Sequence, residues 1–83
     1  MMCRIVIADD ENAERQLLRD ILERHFAQTV DIRCVENGRQ AVTMVTISEA
    51  DIVLMDIEMP GISGLEAARR IREENPDVKL IFI

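Results

Sequence analysis

Two short apolar runs in this chain end on acids: Ile5-Val6-Ile7-Ala8 leads into Asp9-Asp10-Glu11, and Ile52-Val53-Leu54-Met55 leads into Asp56. A continuous stretch of Val, Ile and Leu is the pattern of a strand buried on both faces, which belongs to parallel sheets covered by helices. In open α/β sheets the ligand crevice lies beyond the carboxyl ends of the strands. If the two strands are neighbours, Asp9, Asp10 and Asp56 converge there. Three carboxylates in a small volume repel one another and raise each other's pKa unless a hard cation such as Mg²⁺ holds them together. The pattern therefore predicts a divalent-metal site.

The rest of the chain alternates between the two periodicities. Cys3 to Ala8 reads as the first strand, and from Asn12 the apolar residues Ala13, Leu17, Leu18, Ile21, Leu22 and Phe26 recur at helical spacing. The polar residues between them, Glu14, Arg15, Arg19, Asp20, Glu23 and Arg24, are assigned to a solvated face. Thr29 to Val35 is a second strand. Asn37-Gly38 supports two readings: a hairpin turn leading to a strand over Val42 to Ile47, or a helix capped by Asn37 with Ala41, Val42 and Val45 on the core side. Asp51 to Met55 is the third strand, and residues 56–62 form a loop. Ser63-Gly64-Leu65-Glu66 has the spacing of a capping box, in which Ser63 satisfies backbone donors and Glu66 reaches back to the cap. Leu65, Ala68 and Ile71 form that helix's buried stripe. Asn75-Pro76 ends it, because the residue before a proline is pushed out of helical geometry. Val78 to Ile83 is a fourth apolar strand. This alternation implies right-handed crossovers and a parallel sheet with helices on both faces.

Composition narrows the function classes. Eighty-three residues hold one small domain. A net charge of −6 argues against direct contact with nucleic acid, which requires a clustered basic surface. No apolar run reaches the roughly 18 residues of a membrane span, and the start lacks the pattern of a signal peptide, so a cytoplasmic setting is expected. Cys3 and Cys34 match no metal or redox spacing and are expected to be buried thiols that come near each other if their strands pair. His25 has no second ligand beside it and falls late in a helix, where a cation interacts favourably with the macrodipole. Met44, Met55 and Met59 are read as core filling.

The run Ile5 to Glu11, the run Asp51-Ile52-Val53-Leu54-Met55-Asp56-Ile57-Glu58-Met59-Pro60-Gly61 and the segment Ser63 to Glu66 together strongly resemble the receiver domain of two-component response regulators. The resemblance covers the whole chain in register. It implies a flavodoxin-like, doubly wound parallel sheet with strand order 2-1-3-4, and it favours the helix over residues 37–47. Carried over by position, Asp56 is the phospho-acceptor, Asp9 and Asp10 are the acidic pair that holds Mg²⁺, and Glu58 supplies a backbone carbonyl to the metal. The implied phosphodonor is a histidine kinase, and the implied parent is a transcriptional regulator. A carboxylate attacking a phosphoryl group brings two anions together, so a cation must neutralise the approach. Gly61 and Gly64 let the following loop approach closely or adopt positive φ, and Pro60 stiffens it.

The family pattern goes on to a Ser or Thr after the fourth strand, a fifth strand ending near a Lys, and two further helices. In this sequence the one lysine, Lys79, begins the fourth strand, at the end of the sheet opposite the acids. The expectation is a truncated receiver, slow or short-lived in phosphorylation and poor at switching, since the charge-pairing cation and the bistable element are missing. An uncovered fourth strand and sheet face are expected to drive self-association. The alternative reading is an assembly module that binds metal without turning over phosphate. A metal-dependent phosphatase or nuclease is disfavoured, because neither a positioned base nor a basic substrate surface is present. The chain is read as a non-enzyme that at most catalyses its own phosphorylation and dephosphorylation.

Overall fold

The computed structural model describes residues 2–83. Four parallel strands, β1 (Cys3–Ala8), β2 (Val30–Val35), β3 (Ile52–Met55) and β4 (Lys79–Phe82), form one sheet in the order β2-β1-β3-β4. Helices α1 (Asn12–Phe26), α2 (Gly38–Ser48) and α3 (Gly64–Glu74) make the crossovers. This is the flavodoxin-like receiver topology, and residues 37–47 adopt the helical reading. The Asn37 side chain accepts a hydrogen bond from the Gln40 amide, as an N-cap should.

Successive side chains of a strand point to opposite faces, so each central strand contributes to two cores. Val6, Ala8, Val53 and Met55 face α2 and α3, where Ala41, Val45, Ala67 and Ile71 complete a buried cluster, with Met44 and Met59 packed against it. Ile5, Ile7 and Ile32 face α1 and meet Leu18 and Leu22. The second core is the thinner one. Of the apolar positions expected to face inward on α1, Leu17, Ile21 and Phe26 are 60%, 47% and 52% exposed, and α1 has no buried residue. One helix covers that face of the sheet where two cover the other.

Three further expectations need correction. Leu65 is 59% exposed, and the buried stripe of α3 is Gly64, Ala67, Ala68 and Ile71. The stripe is set by small residues because α3 packs closely against α2. Ser63 does cap α3 by accepting from the Glu66 amide, but the Glu66 carboxylate pairs with Arg69 at 2.6 Å and Arg70 at 3.0 Å instead of reaching back. Two guanidinium partners outcompete one backbone amide. Cys3 and Cys34 are half-buried and do not meet. Cys3 lies opposite Val30 and Cys34 opposite Ile7, four register positions apart, roughly 13 Å along the sheet.

Candidate functional site at the strand ends

The register of β1 with β3 brings Ala8 opposite Met55, so Asp9 and Asp56 leave the sheet side by side. Each is tied to the neighbouring strand by its own amide: Asp9 donates to the Val35 carbonyl at 3.2 Å, and Asp56 donates to the Ala8 carbonyl at 2.9 Å. The sheet therefore sets the positions of both carboxylates.

Asp9 is fully buried. Its Oδ1 accepts from the Glu11 amide at 2.9 Å, and its Oδ2, also buried, has no hydrogen-bond partner among the described residues. A carboxylate oxygen removed from water and left unpaired costs several kcal/mol, on the order of the penalty for any buried unsatisfied charge. Asp56 is half-buried; the Glu58 amide donates to its Oδ1 at 3.3 Å, holding the carboxylate in one orientation. Carboxylate oxygens of Asp9, Asp56 and Glu14 all lie within 4.8 Å of one another.

Glu14 and Arg15 are the residues that the sequence reading missed. Both were assigned to the solvated face of α1. Because α1 starts at Asn12, directly after the acidic turn, its first residues stand over the strand ends. The Glu14 carboxyl is raised to about 7, first by the close approach of the Asp9 carboxylate and then by the negative charge of Asp9, Glu11 and Asp56. The shift reports crowding by like charge. Arg15 Nη1 donates to the Asp9 carbonyl at 2.7 Å and its Nη2 to Asn12 Oδ1 at 3.0 Å, bracing the turn that carries the acids.

Asp10 is exposed and lines a groove with Glu36, Asn37, Arg39, Pro60 and Gly61, outside the group of converging oxygens. Glu58 is exposed and enters the site through its backbone amide. Behind Asp56, Gly64 approaches so closely that a Cβ there would fall 2.2 Å from the Asp56 carbonyl oxygen, and its amide donates to the Ile57 carbonyl at 2.7 Å. Gly61 has φ +81°, the left-handed conformation that glycine adopts without strain. Lys79 pairs in register with Ile52 at the opposite end of the sheet. The residues at the strand ends fit a hard divalent cation: the donors are all oxygens, and Asp9 Oδ2 lacks a positive partner.

The model of the response regulator receiver domain matches residues 5–83. The chain belongs to the response regulator receiver domain family. Over 73 residues this receiver domain is 38% identical to the protein PilH of Pseudomonas aeruginosa, covering 88% of the chain and 58% of that protein. It is 37% identical over 84 residues to the response regulator UvrY of Escherichia coli K12, covering 99% of the chain and 37% of that protein. The chain thus spans well under two thirds of these relatives. Among solved structures it superposes with a TM-score of 0.89 and 42% identity on the response regulator TrrA of Thermotoga maritima in complex with Mg²⁺ and BeF, covering 98% of this chain and 68% of that one. TrrA has also been solved in complex with the histidine kinase ThkA, where the likeness is a TM-score of 0.87. Receiver domains of this family act mainly as signalling modules, and among the described residues no helix is long and apolar enough to cross a membrane.

Proposed function

We propose that Asp56 accepts a phosphoryl group from a histidine kinase or a small phosphodonor. Mg²⁺ would be held by Asp9 and Asp56, whose oxygens converge, together with Asp10 and the Glu58 carbonyl, which enter this reading by the family resemblance and stand outside the converging oxygens. The observation that carries this reading is the unpaired, buried Asp9 Oδ2 beside the Asp56 carboxylate. The Mg²⁺–BeF complex of TrrA and its complex with a histidine kinase support it by likeness.

When bound, the cation supplies charge neutralisation between the attacking carboxylate and the phosphoryl oxygens. The Glu58 amide holds Asp56 Oδ1, and Oδ2, which makes no hydrogen bond among the described residues, is the nucleophile. Its lone pair forms the new O–P bond while the bond from phosphorus to the donor breaks, the electron pair leaving with the donor. Arg15 keeps the acidic turn in place through the Asp9 carbonyl. Gly64 fixes how far Asp56 projects.

The test is intact mass after incubation with acetyl phosphate, with and without Mg²⁺, for wild type and Asp56→Asn. A single Mg²⁺-dependent phosphoryl adduct lost in the variant is the expected result. An adduct retained in Asp56→Asn, or none in wild type, would overturn the reading.

We propose further that the parent acts in the cytoplasm as a transcriptional regulator, by likeness to the transcriptional regulatory protein YdfI of Bacillus subtilis, 38% identical over 82 residues. DNA binding by the full parent tests this, and its absence in all phosphorylation states would contradict it. The edge position of β4, with Ile81, Phe82 and Ile83 exposed, favours self-association of this chain by strand pairing. Light scattering should show mass rising with concentration. A constant monomer mass would dismiss it.

A further inference from the structure

Glu14 is the one acid of the strand-end group that comes from a helix and not from the strand ends. Its carboxylate reaches within 4.8 Å of oxygens of both Asp9 and Asp56 while remaining exposed at the mouth of the site. Proximity of acids alone would be unremarkable on a surface this acidic. The second observation is the state of Asp9. Its Oδ2 is fully withdrawn from water, has no donor among the described residues, and belongs to the carboxylate against which Glu14 is set. The group therefore has oxygens on two sides, a buried one on the sheet and an exposed one on α1, and a positive charge between them would satisfy both. Arg15, the neighbouring cation, does not supply that charge, because its guanidinium is engaged by the Asp9 carbonyl and Asn12 Oδ1.

We propose that Glu14 is a further carboxylate of the cation site, placed by the first turn of α1 to hold a divalent ion from the solvent side. This rests on the reading of the strand ends as a metal centre and adds a residue to it. A unit negative charge about 5 Å from a dication changes affinity roughly tenfold even at the dielectric of water. Glu11, on the same turn, carries the same charge but is not part of the converging group. It serves as the control for charge acting at a distance.

The experiment is a calorimetric titration of the 83-residue chain with MgCl₂, repeated with MnCl₂ and free Mn²⁺ followed by its paramagnetic resonance signal, on wild type, Glu14→Gln and Glu11→Gln. Urea unfolding of each protein verifies the fold. Glu14→Gln should weaken both cations roughly tenfold and leave the unfolding midpoint equal to or above that of wild type, since like-charge crowding is relieved. Glu11→Gln should change affinity less than about threefold, the screened remainder of a more distant charge. Unchanged affinity in Glu14→Gln, or equal losses in the two variants, would overturn the proposal while leaving the metal centre standing. Failure of wild type to bind either cation would overturn both.

Discussion

Replacing Gly64 by alanine should damage both stability and phosphoryl capture, because the residue is the spacer behind the acceptor. The added Cβ would lie 2.2 Å from the Asp56 carbonyl oxygen, 2.8 Å from Ile57 Cα and 3.0 Å from the Ile57 carbonyl oxygen. All three are backbone atoms, so no change of rotamer relieves the contact. Bringing the closest of them from 2.2 Å to the 3.0 Å below which real Cβ atoms are not found requires the start of α3 and the end of β3 to separate by about 0.8 Å. Overpacking of this kind costs about 1–3 kcal/mol, and the upper part of that range applies to a backbone clash. The same movement carries Asp56 off its line of attack, and a misplacement near 1 Å lowers a positioned reaction by about a hundredfold. The assay is urea unfolding with the slope compared to wild type, followed by the rate of labelling by acetyl phosphate under conditions where the variant is folded. Gly61→Ala is the control: nothing lies within 4 Å of its added Cβ, so its cost is confined to the φ of +81°, about 1–2 kcal/mol. A Gly64→Ala protein within about 0.5 kcal/mol of wild type, the range of a neutral surface change, and labelled at the wild-type rate would refute the reasoning.

Two other perturbations follow from the same structure. Ser63→Ala removes the acceptor of the Glu66 amide at 3.1 Å and should lower stability by about 1 kcal/mol, read as a reduced urea midpoint with unchanged slope. Glu66 is lowered to about 2 by hydrogen bonds from Arg69 and then Arg70; its folded value lies below the ordinary 4.5, so the stabilisation is complete above that pH and is lost as pH falls towards 2. Thermal unfolding of Glu66→Gln should therefore fall less steeply than wild type over that interval, and parallel curves would contradict the assignment.

The parallel sheet was legible because its two central strands carry the continuous apolar runs Ile5–Ala8 and Ile52–Met55, and because Asp9 and Asp56 follow those runs immediately. Register did the rest: once Ala8 lies opposite Met55, the acids have to meet. What could not be read was anything set by the angle of a helix over the sheet. Glu14 and Arg15 fall on the polar side of α1 by periodicity, yet the helix starts so close to the acidic turn that its first residues hang over the strand ends. Leu65 fits a helical stripe by spacing but lies outside the contact of α3 with α2, where Gly38 and Ala67 leave room for close packing only by small residues. Glu66 matches a capping box by spacing, and Arg69 and Arg70 on the following turn take its carboxylate instead. The exposed Leu17, Ile21 and Phe26 show the same limit, since periodicity marks an apolar face without showing what covers it.

The central claim is that the strand-end acids form a cation-dependent phosphoryl site with Asp56 as the acceptor. Fragmentation mass spectrometry of the intact chain labelled by acetyl phosphate in Mg²⁺ tests it most directly, by locating the phosphoryl group among Asp9, Asp10, Glu14 and Asp56. The account predicts a single modification on Asp56, absent when Mg²⁺ is withheld. A phosphoryl group on any of the other three acids, or one acquired equally well without the cation, would contradict it.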